Sequence, residues 1–565
     1  MKFFRLNKAA ALIVVLTSSS AAVGALNSGT YETTGKGNNG PVVVQTTIEN
    51  SQIKDIKVLK NSETPMIGET AIQQLPSKII ASQSLAIDGL SGATNTSNAL
   101  KSAVKEALVK AGGSEKDLKA VAIKKQDAVP NKDESTDLVV VGAGGSGMAA
   151  AIQGKERGLN VVLVEKLPMI GGTTALSSTA FNAGGSKIQM ELEKPYTAED
   201  YYKKLKGKGP DDASLKNLAE LSGPTTDWLV NMGADLGRVI NGSQHTPKDG
   251  GALGSMLVPV MKKKMDSLGI EPRVSTKAEE LYVKDGRVAG VKVKNDNGTY
   301  TIYAKAVVLS TGGFASNPKL VEKYTPMWAG YPSTASRGAT GDGLEMAQKV
   351  GAGLAQMEKS GPQTVAYDTG HGAVSLTNVR YNGAILVNTD GKRFVNELAL
   401  TPILGKAIKD QQGGYAYLIF DQASIDRAAL MKKYKEAGYF VEAATVPELA
   451  AKLGISAANL EKTVERYRQG MYKGVDEEFG RKDSRFSRID KAPYYGAKIS
   501  PASQTTYGGI KIDLKGRALT PEGKVIPGLY ASGEAAAQYG QGVSIGVILG
   551  KLAADSAADD IANVK

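Results

Sequence analysis

The sequence predicts an α/β protein organised around a parallel-sheet dinucleotide-binding domain, with a small α+β unit ahead of it. Three observations predict this. The stretch Asp137–Lys166 reads as strand, glycine turn, helix, strand and acid. Alternating strands and one amphipathic helix precede it, and after it the chain returns repeatedly to buried strands that end in glycine-rich turns. The 565 residues, 42% of them hydrophobic, are enough for about three packed domains.

The central stretch is DLVVVGAGGSGMAAAIQGKERGLNVVLVEK. Leu138 to Val141 form a short apolar run, and Gly142, Gly144 and Gly147 follow as G-x-G-x-x-G at the start of an alanine-rich helix. The first glycine makes the tight turn, the second lets the backbone, with Ala143, approach a pyrophosphate, and the third lets helix pack on strand. The helix N-terminus supplies N–H donors and the positive end of its dipole. A second strand, Val161–Val164, ends in Glu165, about 20 residues on, where a carboxylate binds a ribose hydroxyl pair. This predicts a bound dinucleotide in a Rossmann-type domain.

Composition narrows the chemistry. There are no cysteines, which excludes disulfides, iron–sulfur clusters, thiol catalysis and C-x-x-C-H haem attachment. With two histidines, His245 and His371, neither a metal site nor a His-centred triad is expected. Electron transfer would rest on organic cofactors. The count of 65 glycines suits tight βα turns and backbone-lined cofactor pockets.

Lys2, Arg5 and Lys8, the apolar run Ala9–Leu16 and the small residues Val23, Gly24 and Ala25 read as a secretory signal over 1–25. The protein is expected to be exported, to the cell surface, periplasm or outside. An uncleaved anchor is the alternative, disfavoured because the apolar run is shorter than the ~20 residues of a spanning helix. Cleavage would lower the net charge from +12 to +9. That excess suits anionic substrates or simply a solubilising surface, and no basic-aromatic pattern points to nucleic acid.

Residues 28–112 read as the first unit, with strands at Val42–Thr47 and Ile53–Leu59 and a helix over Asn98–Ala111 capped by Ser97. Residues 113–135 read as a linker. The nucleotide-binding unit begins at 136. Gly171-Gly172-Thr173-Thr174 is a backbone-rich turn with hydroxyls suited to a pyrophosphate or flavin edge, and Gly184-Gly185 and Gly250-Gly251-Ala252 repeat the pattern. Val274–Val308, with turns at Lys284-Asp285-Gly286 and Asn295–Gly298, predicts a β-meander. A second glycine turn, Ser310-Thr311-Gly312-Gly313-Phe314-Ala315, follows a buried strand, and Gly338-Ala339-Thr340-Gly341-Asp342-Gly343 opens another helix.

Two resemblances sharpen this reading. Asp88-Gly89-Leu90-Ser91-Gly92-Ala93-Thr94 resembles the D-x-x-S-G-A-T motif of FMN-binding domains in sodium-pumping quinone reductases and related secreted flavoproteins. There FMN is esterified through its phosphate to the last threonine, which implies covalent FMN on Thr94, cradled by Ser91, Gly92 and Ala93, and a flavin transferase to attach it. The order G-x-G-x-x-G, GG-T, TGGF-A, GATGDG and PGLYASGEA (Pro527–Ala535) is similar to the secreted fumarate and urocanate reductases of the succinate dehydrogenase/fumarate reductase flavoprotein family. This implies non-covalent FAD in 136–361 and 504–565, with Glu165 on the adenosine ribose and Glu534 on the ribityl chain. It also implies cofactor contacts at Lys166, Thr311, Gly312, Gly313, Asp342, Ser544 and Ile545. A mobile α+β clamp inserted over 362–503 would close over the flavin and exclude water.

The chain departs from that family where the substrate should bind. The clamp sequence keeps Arg380, Asn388, Arg393, Asn396 and Glu397. The family's proton-donating arginine, however, falls at about Thr401, its histidine near Thr505, and its last substrate arginine is missing from Gln538–Ser544. A dicarboxylate clamp is therefore disfavoured, since carboxylates leaving water need charged partners. Phenols remain: Tyr507, Tyr539 and, on the clamp side, Tyr367 beside Asp368. Tyr539-Gly540-Gln541-Gly542 resembles the Y-x-x-G of flavin-dependent 3-ketosteroid dehydrogenases. Either tyrosine also fits a core residue with a satisfied hydroxyl, and Arg380 fits a structural salt bridge as well as a proton pathway. The expectation is an exported FMN/FAD reductase, fed by a membrane electron-transfer chain and acting on a small α,β-unsaturated carbonyl or carboxylate compound in anaerobic respiration, without haem or nucleic acid. A ketosteroid-type dehydrogenase and a flavin electron carrier without turnover are the rivals.

Overall fold

The computed structural model describes residues 26–121, 131–178, 180–207, 209, 211–482, 488–537 and 542–563. The signal-like segment 1–25, most of the expected linker's second half and Tyr539 lie outside the described residues.

The first unit is an antiparallel sheet of β1 (Gly29–Lys36), β2 (Pro41–Glu49) and β3 (Gln52–Lys60), covered by α1 (Gly68–Ser82) and α2 (Thr94–Lys110). In β2, Val42, Val44, Thr46 and Ile48 alternate inward. The three aliphatic residues meet Leu75, Ile79, Leu100 and Val104 in one core. β1 and α1 are additions to the sequence reading. α2 starts at Thr94 with Ala93 as N-cap, not at Ser97. Ser97 Oγ instead accepts from Leu90 N at 3.1 Å and donates to Ala93 O at 2.8 Å, so it holds the Asp88–Thr94 loop against the first turn.

The nucleotide-binding unit follows the expected order. β4 (Glu134–Val141) leads through the glycine turn into α3 (Gly145–Glu156) and back to β5 (Val161–Val164). β5, β4, the strand Gly298–Leu309 and the strand Val525–Ala531 run parallel as neighbours. Each of the first three ends at the same edge, where the glycine turns gather, as ligand sites do in open α/β sheets. Lys277–Lys284, Arg287–Asn295 and the first half of Gly298–Leu309 form the meander. The last helix, Val543–Asn563, packs along α3.

Among the described residues the capping unit is a six-stranded sheet with six α-helices, among them Thr401–Lys409, Ala429–Glu436 and Ala457–Lys473. Two of its strands, Ser360–Asp368 and Tyr494–Thr506, run antiparallel out of this sheet to the flavin side, pairing Ser360 with Thr506 and Gly361 with Thr505. The unit thus hangs on a two-stranded ribbon whose strands extend past the expected 362 and 503 limits.

Its interior holds a buried ion cluster. The Arg393 guanidinium bonds Glu397 through Nε and Nη2 and Asp476 through Nη1 and Nη2, all at 2.9 Å, between the rings of Tyr467 and Phe479. Arg481 joins through Glu397 at 3.3 Å and caps the carbonyls of Ala384 and Arg380. Such a cluster tolerates no missing partner, because a lone buried charge is far costlier than the pair. Arg393→Met should therefore lower the stability of the capping unit by about 3–5 kcal/mol, read by calorimetry as an earlier transition while the nucleotide-binding core melts as before.

Candidate functional site

The three units meet around one cavity of about 830 Å³, within the size range of small-molecule sites. Its wall takes Gly92–Thr96 and Glu63 from the first unit, Leu167, Met169, Ile170, Gly172 and Ala175–Ser178 from the nucleotide-binding unit, and Asp368–Ser375 from the capping unit.

The dinucleotide cradle is set by backbone proximity. Gly142 has φ +102°, and a Cβ there would lie 2.4 Å from the Ser310 carbonyl oxygen. A Cβ on Gly147 would lie 1.7 Å from Gly142 O, so no other residue lets helix meet strand here. Gly144 has open space within 4 Å, leaving the backbone free for phosphate, and α3 begins without a side-chain cap. Thr174 Oγ1 accepts from Gly145 N at 3.2 Å, and Thr173 Oγ1 accepts from Ser336 N at 3.1 Å, so the Gly171–Thr174 turn braces both sides of the cradle. Gly171 N reaches Ala143 O at 2.8 Å.

Glu165 sits at the end of β5 with its carboxylate accepting from Ala143 N and Leu167 N, both at 2.8 Å. Burial pushes this acid up from the ordinary range, against those two N–H donors. Lys166 bridges to Asp342 at the start of the helix Asp342–Lys349. Gly312 has φ +73°, and a Cβ on Gly313 would meet Thr506 Oγ1 at 1.9 Å, so this second turn also lies against backbone and hydroxyl. Several buried polar atoms here lack a partner among the described residues: Thr311 Oγ1, Glu534 Oε2 and Ser544 Oγ. Buried polar groups are almost always hydrogen-bonded. These three, with Ile545 buried next in sequence to Ser544, are what a ligand rich in hydroxyls and ring nitrogens would satisfy, and the residues present fit FAD.

On the other side of the cavity, α2 begins at Thr94 with backbone N–H groups that no side chain caps. Gly92 has φ +94°, and a Cβ there would press on Met169 Sδ at 3.4 Å. Met169 is itself part of the first unit's core, while Met66 and Ile67 pack on the core of the nucleotide-binding unit. An uncapped helix start with Ser91, Gly92, Ala93 and Thr94 around it fits the phosphate end of FMN.

The candidate catalytic residues separate. Asp368 lines the cavity, its Oδ1 accepting from Gly370 N at 2.8 Å. Tyr367 does not line it; its ring packs on Tyr439 at 5.0 Å, against the capping core. Arg380 is buried beside the ion cluster and lines no part of the cavity; it donates to the Glu397 main-chain carbonyl at 2.6 Å and to Tyr381 OH at 2.8 Å, so its partners here are neutral groups rather than a carboxylate. Tyr507 lies behind the wall, next to Glu534; burial, and then the Glu534 carboxylate, push its phenol up. Tyr539 lies outside the described residues. Of the Gly250-Gly251-Ala252 turn only Ala252 lines the cavity, and Gly184-Gly185 packs against Thr197, Ala198 and the helix Asp212–Asn231.

Sequence reasoning missed Arg337 and Lys433 on the cavity wall, together with Trp328, Tyr331, Tyr434 and Gln504. Arg337 donates to the His371 carbonyl across the gap between the nucleotide-binding and capping units. No local pattern marks these residues, because only the tertiary fold brings their loops to the wall.

Glu534 offers a test of the cofactor cradle. The residue is half-buried with its Oε2 enclosed, and desolvation pushes its carboxyl up to about 7, opposed by Thr506 N–H and the Thr505 hydroxyl. Ribityl hydroxyls donating to it would favour the ionised form, so binding would release a proton below that value. FAD affinity should fall as pH drops through about 7, and Glu534→Gln should remove this dependence; flavin fluorescence titrations across the range check both.

Comparison with known proteins agrees with this geometry. Residues 137–545 match the FAD binding domain family and residues 37–109 the FMN-binding domain family. The chain is 34% identical to urocanate reductase of Eggerthella lenta, over 92% of this chain and 89% of that protein. It is 32% identical to NADH:fumarate oxidoreductase of Klebsiella pneumoniae over 92% of this chain, spanning 57% of that longer protein. The open conformation of a flavocytochrome c3 fumarate reductase superposes with a TM-score of 0.70 at 31% identity, covering 76% of this chain and 79% of that one. A cradle for FAD and an uncapped helix start for FMN, facing one cavity, therefore have a common explanation: the chain belongs to the fumarate/urocanate reductase-like family of flavin-dependent oxidoreductases, with an FAD-binding domain preceded by an FMN-binding domain.

Proposed function

We propose that this protein is an exported reductase that carries FMN covalently on Thr94 and reduces the C=C bond of an α,β-unsaturated carbonyl or monocarboxylate compound, with fumarate a poor acceptor. The observation that carries this reading is one cavity lined both by Thr94 and by Gly172 and Ala175–Ser178, at and just after the Gly171–Thr174 turn of the FAD cradle. FMN held at Ser91–Thr94 would supply the means to take electrons from a membrane electron-transfer chain, and FAD held by the Gly142–Gly147 cradle and Glu534 would supply a hydride for one carbon of the acceptor. The second carbon takes a proton, so the acceptor gains two electrons and two protons.

The chain's own residues support an acceptor with one polar end. Thr505, where the family implies a histidine, gives its hydroxyl to Glu534, and Thr401, where the family implies an arginine, begins a helix of the capping unit. Among the described residues the Lys and Arg side chains on the wall are Arg337 and Lys433, and the wall also carries Trp328, Tyr331 and Val374. One carboxylate or ketone on an apolar body of urocanate, cinnamate or enone type suits this wall better than two carboxylates. The capping unit, held over the cavity, excludes water from the transfer.

Two outcomes are expected. Mass spectrometry of denatured protein made with a competent flavin transferase should show one FMN-sized addition, absent from Thr94→Val; an unmodified wild-type chain would contradict the covalent attachment. In anaerobic reoxidation of reduced holoprotein against a panel of unsaturated acids and ketones, fumarate should fall behind the best acceptor by on the order of 10³-fold in kcat/KM, the cost of two lost charge-assisted bonds. Fumarate equal to the best acceptor would contradict the reading.

A further inference from the structure

The first unit does more than present Thr94 to the cavity: it grips the capping unit at two separated places. At one, the Lys36 ammonium donates to Gly438 O at 3.2 Å, and the Tyr439 hydroxyl donates to Asn38 O in the turn between β1 and β2. A Cβ built on Gly40, in the same turn, would lie 3.9 Å from Glu436 Cβ. At the other, Asn95 Nδ2, beside Thr94, reaches Thr369 Oγ1 at 3.3 Å in the hairpin tip between the strands Ser360–Asp368 and Ala373–Ser375.

The two places are wired together inside the first unit. Asn95 Nδ2 also donates to Asn38 Oδ1 at 3.0 Å. Asn38 Nδ2 donates to Asn39 Oδ1 at 2.9 Å, and Asn39 N donates to the buried Glu63 carboxylate at 2.9 Å, which also accepts from Thr96 Oγ1. The turn that holds Tyr439 and the helix start that carries Thr94 are therefore one hydrogen-bonded piece. On its far side the same hairpin tip is held by the nucleotide-binding unit, where Arg337 donates to His371 O.

We propose that the first unit is the latch of the capping unit: through Asn38, Asn95 and Lys36 it holds Thr369, Gly438 and Tyr439, so that docking of the Thr94 helix start at the cavity and closure of the capping unit over it are one event. The capping unit hangs on a two-stranded ribbon, and movement about that ribbon breaks contacts at both grip points together. The latch is read from geometry alone. Only its kinetic consequence, that electrons pass to a closed cavity and acceptors exchange in an unlatched one, rests on the function proposed above.

The experiment combines hydrogen exchange and cross-linking on the full flavin-loaded chain. In a Lys36→Ala/Tyr439→Phe/Thr369→Val variant, amides at 37–40, 368–372 and 434–439 should exchange faster together, by roughly tenfold or more, the scale of losing several hydrogen bonds. The sheet cores of all three units should keep their protection. Unchanged exchange at 368–372 and 434–439 would overturn the latch whether or not any acceptor is ever found. For the converse, the chain has no cysteine, so a Lys36→Cys/Glu436→Cys pair can be bridged specifically with a short bismaleimide. The bridged protein should keep electron transfer between its flavins in a single turnover and lose about tenfold or more in steady-state turnover, as expected where opening limits the cycle. Failure to bridge within one chain, or full steady-state turnover once bridged, would overturn the proposal.

Discussion

The structure depends on how closely backbone can approach backbone at the edge of the parallel sheet. Gly142 lies against Ser310 O, Gly147 against Gly142 O, and Gly550 of the last helix against Ser146 O, each at a distance that leaves no room for a Cβ. The hydroxyls of Ser146, Ser310 and Ser532 link these three segments at 2.8 Å. Because β4, the strand Gly298–Leu309 and the strand Val525–Ala531 all end here, this contact brings the turns at Gly142, Thr311 and Gly533 to one edge. Glu534, Thr311 and Ser544 then converge with the N-terminus of α3, and the cofactor cradle follows from packing before any ligand is present.

Local chemistry made much of this legible. The fingerprint at 142–147, the strand at Val161–Val164, the meander turns at 284–286 and 295–298 and the helix opening at Asp342 are each specified within a few residues by glycine, β-branched or turn chemistry. The start of α2 was not legible for an equally physical reason. Ordinary capping rules point to the hydroxyl of Ser97, but the helix starts at Thr94 behind an Ala93 that offers no cap, leaving its N–H groups for a ligand. Such a vacancy looks like a rule broken, and it marks a site.

What escaped altogether is long-range. Arg380 sits among buried charges contributed by Glu397 and Arg481, the latter 101 residues away, and nothing near it in sequence separates that role from a proton pathway. Arg337 reaches the cavity through a loop whose only local signature is small residues. Tyr439 meets Asn38 across 401 residues. A side chain's presence on the wall is a property of three units meeting, and hydrophobic period and turn chemistry carry no information about it.

With FMN-binding and FAD-binding domains lining one cavity, the central claim is that electrons pass in series within a single chain, from the Thr94 side through the FAD cradle to an unsaturated acceptor. The most direct test is anaerobic stopped-flow reoxidation of fully reduced holoprotein with its best acceptor, beside the same protein stripped of FAD. The account predicts that both flavins reoxidise in the holoprotein and that FMN stays reduced once FAD is gone. FMN reoxidised by the acceptor at the holoprotein rate without FAD would contradict it.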